Sequence, residues 1–87
     1  HDYYTDIITF DYSEGEFVSG DLMVSFDRVS ENAKTHGVTV QSELKRVIVH
    51  GVLHLLGVND KSAKESKKMK ILEDAALNRF HVEHENK

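Results

Sequence analysis

In His50-Gly51-Val52-Leu53-His54-Leu55-Leu56-Gly57-Val58-Asn59-Asp60, two imidazoles stand four residues apart and a carboxylate follows six further on, past a glycine. On an α-helix, residues i and i+4 lie about 40° apart around the axis and project the same way, so His50 and His54 can grip one ion from adjacent turns. Gly57 suits the left-handed position that ends a helix, and the turn it permits brings Asp60 back under the histidines. This is the spacing of a three-ligand metal site. Three protein ligands leave the fourth position of a tetrahedral zinc open, as catalysis requires.

Outward from this motif the chain divides into short elements. Thr39 can cap a helix that runs from about Val40 to Leu56, with Leu44, Val47, Ile48 and Leu55 as its apolar stripe. Before it, Asp27 to Lys34 reads as a short helix stopped by Thr35-His36-Gly37. Residues 5 to 12 are β-branched and aromatic and place Ile8, Phe10 and Tyr12 on one side at period two, which predicts a strand. Ser13-Glu14-Gly15-Glu16 has turn composition, and the apolar run from Phe17 through Phe26 predicts an antiparallel partner. Beyond the motif, Ser62-Ala63-Lys64-Glu65 has capping-box form and starts a last helix with Met69, Leu72, Ala76 and Phe80 on one face. The polar segment 81–87 is expected to fray. The fold class is α+β: a small mixed sheet, here only a hairpin, packed on about three helices, with the metal motif on the central helix and its following turn. Two strands make no persistent sheet alone, and missing strands would explain so small a one.

With 87 residues the chain is one small domain, 1–87, near the size where a single core is only marginally adequate. A formal charge of −4 excludes the global basic field that advertises nucleic-acid binding, although a local patch is compatible with it. There is no cysteine, so disulfides, thiolate clusters and zinc fingers are excluded. Neither a membrane-length apolar run nor a cleavable signal pattern is present, so a soluble, cytoplasmic protein is expected. The first residue is His1 rather than Met, which suggests a piece of something longer.

A His pair at this spacing arises often by chance, and the rest of the constellation raises its weight. The extended zinc-protease pattern has His, an adjacent Glu, His four later, Gly three after that and a third ligand three beyond. His50, His54, Gly57 and Asp60 occupy those four geometric positions. The Glu general base is replaced by Gly51, which removes the group that activates water in such proteases. Gly51 reads either as a packing glycine or as room for substrate or a neighbouring helix to approach.

The segment resembles the signature His-Gly-x-Leu-His-Leu-x-Gly-x-Asp-His of the YbeY endoribonuclease family, the bacterial rRNA maturation factors, and residues 50–57 match it without a gap. Thr5-Asp6-Ile7-Ile8-Thr9-Phe10 resembles the family's Thr-Asp-Val-Leu-Ser-Phe strand, and Gly20-Asp21-Leu22-Met23-Val24-Ser25 resembles its Gly-Asp-Ile-x-Ile-Ser strand. The likeness covers roughly residues 2 to 80. It implies a metal-dependent, single-strand-specific endoribonuclease in rRNA maturation and small-subunit quality control, with water activated by a zinc ion on His50, His54 and Asp60. The implied partners are rRNA, the small ribosomal subunit and ribosome-associated proteins, with neither membrane nor DNA. Two departures stand out. Asp60 replaces the family's third histidine and Asn59 the preceding Asp, and a carboxylate makes the ion a weaker Lewis acid than a third imidazole would. The family's opening strand, helix and strand, with an implicated arginine, are also missing, which implies the C-terminal part of a YbeY-like domain and leaves open whether this piece alone is active.

No general base is obvious. Glu43, two helical turns before His50, is a candidate partner for an imidazole N–H, as metal-bound histidines usually require, with a solvent-facing Glu as the alternative. Asp6 and Asp21 begin their strands and read as turn or cap residues. Lys61, Lys64, Lys67, Lys68 and Lys70 either hold RNA phosphates near the metal or form a solvated helix face. Tyr3, Tyr4 and Tyr12 either stack on bases or pack in the core or at an edge. His36, His81 and His84 are assigned no part in the site. Two rival functions remain: a non-catalytic ribosome-assembly factor with a structural metal, favoured by the missing base, and a metal-dependent hydrolase of another substrate. Nickel, manganese and iron also suit such a donor set.

Overall fold

The computed structural model describes residues 6–85, with side chains from 6 to 79. Its elements, in chain order, are β1 (Ile7–Asp11), β2 (Gly20–Val24), α1 (Phe26–His36), α2 (Val40–Leu55) and α3 (Ala63–Glu85). The two strands pair antiparallel, with Ile7 opposite Val24 and Asp11 opposite Gly20. Their connection closes at Glu14–Phe17, whose backbones exchange hydrogen bonds of 3.0 and 2.9 Å. Gly15 takes φ +57 there, as the first central position of a II′ hairpin turn demands.

The helices start and stop where side chains satisfy their free backbone groups. The Ser25 hydroxyl accepts from Arg28 N at 3.3 Å at the head of α1, and Gly37 closes that helix in the left-handed region at φ 69. The Thr39 hydroxyl accepts from Ser42 N at 3.0 Å at the head of α2. Before α3 the expected capping box forms in full: Glu65 N donates to Ser62 Oγ and Ser62 N to Glu65 Oε1, both at 3.1 Å. Helical backbone continues to Glu85.

α2 is the hub and packs against both strands and both other helices. The core is small: Val29 and Ala33 from α1, Val47 from α2 and Met69 from α3. Val47 therefore keeps its expected place, Leu44 and Leu55 are half-buried, and Ile48 is exposed. The face that α2 buries most deeply runs through Glu43, Val47 and Gly51. A Cβ on Gly51 would stand 2.7 Å from Ile7 Cδ1 and 2.9 Å from Leu22 Cδ2, so the group pressed against this glycine is the hairpin, not a neighbouring helix. In β1 it is Ile7 and Thr9 that turn inward, while Ile8, Phe10 and Tyr12 face out at 48, 40 and 58% exposure. Tyr12 thus has no place in the core. Asp6 anchors β1 to α1 by accepting from Asn32 Nδ2 at 3.3 Å. Among the described residues no helix is long and apolar enough to cross a membrane.

Candidate metal centre

α2 carries both histidines, and its end determines what the second can do. Gly57 N donates to His54 O and Val58 N to Leu53 O, both at 3.0 Å, with Gly57 at φ 94. This paired closure is a Schellman motif, which only a residue tolerant of positive φ can complete. It brings the Val58 carbonyl to the His54 ring, where it accepts from Nδ1 at 2.9 Å. A carbonyl only accepts, so His54 carries a proton on Nδ1 and turns Nε2 to the other side.

His50 is held the same way by a different group. Its Nδ1 lies 2.5 Å from Glu73 Oε2, on α3. The second oxygen of Glu73 accepts from Arg46 Nη1 at 2.9 Å, and Arg46 Nη2 reaches Asp74 Oδ1 at 2.8 Å. The hydrogen bond with Asp74 raises the Arg46 pKa above its ordinary value and, in turn, holds the Asp74 carboxyl below the usual carboxylate range. A small cavity of about 160 Å³ is lined by Asp6, Glu43, Arg46, Val47, His50 and Glu73.

The two Nε2 atoms meet 2.9 Å apart, with the rings edge to face at 81°. Asp60 Oδ2 completes a triangle, 3.3 Å from His50 Nε2 and 3.6 Å from His54 Nε2. The loop that delivers Asp60 is tied to the start of α3, where Ser66 Oγ donates to the Asp60 carbonyl at 3.0 Å. All three side chains are about one-third exposed, so the triangle opens to solvent on one side. Two bare nitrogens and a carboxylate oxygen this close repel unless a proton or a cation lies among them. Ligands at the corners of a tetrahedron around zinc, with bonds of about 2.0–2.1 Å, stand about 3.3–3.4 Å apart, and the three distances here scatter around that edge. Among the described residues His50, His54 and Asp60 form a group of three that could hold a metal ion.

A family model described as Endoribonuclease YbeY matches residues 1–81. The chain belongs to the YbeY family. Proteins named Endoribonuclease YbeY from Bacteroides thetaiotaomicron and Cytophaga hutchinsonii are 53% and 54% identical to it, each over 88% of this chain and over 56% and 54% of their own lengths. One from Flavobacterium johnsoniae is 49% identical over 95% of this chain and 60% of its own length. The chain thus spans about half the length of the curated YbeY relatives it matches.

Within this YbeY-family chain, Glu43 does not serve His50. It is buried, but its Oε1 lies 3.2 Å from Nδ1 of His36, and Glu73 takes the place expected of it. Seven residues along a helix return to the same face but climb about 10 Å, more than a glutamate side chain spans. Glu73, Arg46 and the Val58 carbonyl were missed by reading along the sequence because they come from other turns or another helix. One signal for Glu73 was present: it lies four after Met69, a carboxylate inside the expected apolar stripe of α3. The five lysines are all exposed, and Lys61 directly follows Asp60. Lys70 instead lines a groove with His36, Val38, Ser42, Glu43 and Arg46. Tyr3, Tyr4 and His1 lie outside the described residues, as do the side chains of Phe80, His81 and His84.

Proposed function

We propose that this chain is the metal-binding part of a hydrolytic endoribonuclease that cuts single-stranded RNA in rRNA maturation and small-subunit quality control. The observation that carries the reading is the convergence of His50 Nε2, His54 Nε2 and Asp60 Oδ2 on one solvent-facing point, within a family whose relatives are named as endoribonucleases. Zinc is the ion of choice for two imidazoles and one carboxylate at tetrahedral spacing. When bound, the ion supplies Lewis acidity toward water and toward a phosphoryl oxygen.

The chain's own residues do the rest. The Schellman closure and Glu73 hold both rings with their bare nitrogens outward, and Asp60 offsets part of the ion's charge. Lys61, which directly follows Asp60, and the exposed Lys64, Lys67 and Lys68 of α3 are the candidates to hold the strand's phosphates. The nearest buried carboxylates, Glu43 and Glu73, are paired with His36 and with Arg46 and His50, so no general base is assigned to them. That absence favours the second reading, a ribosome-assembly factor whose metal is structural.

Cleavage of a labelled single-stranded RNA by zinc-loaded protein separates the two. The enzyme reading predicts that His54→Ala reduces cleavage at least 100-fold, on the scale of about 3 kcal/mol in the transition state, with helix content unchanged by circular dichroism. Wild-type cleavage by that variant would remove the site from the reaction. A metal that is lost together with the fold, and no cleavage by either protein, would favour the assembly factor.

A further inference from the structure

We propose that Glu73, together with Arg46, locks His50 in the tautomer that presents a bare Nε2 to His54 and Asp60, which makes Glu73 a positioning residue of the candidate metal centre. The proposal deepens the metal reading of the site and rests on it for its purpose, but the lock itself is a property of the protein without metal. Glu73 is 7% exposed and sits in the apolar face of α3, four residues after the buried Met69. A carboxylate is costly there unless both oxygens are satisfied by charge or hydrogen bonds. Both are: Oε1 receives Arg46 Nη1 and Oε2 faces His50 Nδ1. Arg46 is four residues before His50 on α2, so one glutamate side chain reaches two successive turns of the facing helix.

The direction of each bond follows from what the groups can do. A guanidinium only donates, and an ionised carboxylate only accepts. Arg46 donates to one oxygen of Glu73, and the carboxylate accepts a proton-bearing Nδ1 from His50 at the other. The imidazole proton is thereby placed on the far side of the ring from Asp60. His54 has its own Nδ1 engaged by the Val58 carbonyl, so in both rings Nε2 is the nitrogen left facing the site before any ion arrives. Asp74 holds the second arm of Arg46 and keeps the guanidinium plane aimed at Glu73. A simple α2–α3 bridge between Arg46 and Glu73 would need only one oxygen and would leave His50 free to choose its tautomer.

Glu73→Gln tests this because the amide has one acceptor where two donors compete. Arg46, always charged, takes the carbonyl, and the amide NH₂ then faces His50 Nδ1, which must accept and move its proton to Nε2. The measurement is long-range proton–nitrogen correlation NMR of the imidazoles in metal-free protein at pH 8, beside zinc affinity by competition with a chromogenic chelator. The expected results are His50 protonated at Nδ1 in the wild type, an Nε2-protonated population in Glu73→Gln, and zinc affinity about 10–100-fold weaker in the variant with its helix content kept. Adding Arg46→Met frees the carbonyl for His50 and is expected to recover part of that affinity. Wild-type protein with His50 protonated at Nε2 overturns the proposal, as does a folded Glu73→Gln that keeps wild-type tautomer and affinity. The tautomer of the wild type decides even if the variant fails to fold. A wild type that takes up no zinc sinks the metal reading, while an Nδ1-protonated His50 in that same protein supports the lock.

Discussion

At the scale of single residues, Asp60 carries the largest departure from the family signature and also the loosest geometry, at 3.3 and 3.6 Å from the two ring nitrogens. If it is a ligand, Asp60→Ala loses more zinc affinity than the about 10–100-fold that an outer partner costs, whereas Asp60→His restores a third imidazole and retains the ion. Elemental analysis of the purified variants by plasma mass spectrometry checks both. Stoichiometric zinc in Asp60→Ala would strike it from the ligand set. The two histidines were legible from their spacing alone, because i, i+4 is enforced by the helix itself. Glu73 was not, since it meets His50 from 23 residues away across a helix–helix contact.

At the scale of elements, two glycines bear on how closely the hairpin lies against α2, and they bear on it differently. A Cβ on Gly20 would stand 2.5 Å from the Phe10 carbonyl oxygen and 2.5 Å from Leu55 Cδ2. Backbone in a ladder cannot move aside, so Gly20→Ala is expected to cost about 1–3 kcal/mol. Gly51 meets only the tips of Ile7 and Leu22, and alanine in a helix regains up to about 1 kcal/mol of propensity, so Gly51→Ala costs less than Gly20→Ala. Urea denaturation of the two variants checks the order, and a Gly51→Ala more damaging than Gly20→Ala would show that the helix–sheet contact is stiffer than those side-chain tips suggest. Element starts and stops were legible from Thr39, Ser62, Glu65, Gly37 and Gly57, since capping chemistry is local in sequence. Which face of β1 packs was not, because alternation alone supplies two faces and only the docking of α2 chooses between them.

At the scale of the whole molecule, charge is divided unevenly: the chain carries −4 overall, yet lysines at 61, 64, 67 and 68 stand exposed in the stretch that directly follows Asp60. If they hold RNA, affinity falls as salt rises, with a log–log slope of about −0.7 for each phosphate neutralised on a single strand. Lys64→Glu/Lys67→Glu is then expected to weaken binding across sequences and to flatten that slope, as read by fluorescence anisotropy over a range of potassium chloride. An unchanged slope would mark these lysines as a solvated face. The molecule also exposes an apolar sheet face, Ile8, Phe10 and Met23, opposite the side that packs on α2.

The sequence by itself determined three helices with their caps, a hairpin, and two histidines facing one way with a carboxylate turned back beneath them, because each of these rests on interactions within a few residues of chain. The tertiary structure decided which sheet face is buried, that Gly51 lies against the hairpin, that Glu43 pairs with His36, and that Glu73 and Arg46 hold His50. Those outcomes depend on how α2 and α3 pack, where a side chain meets a partner whose distance along the chain carries no periodic signal.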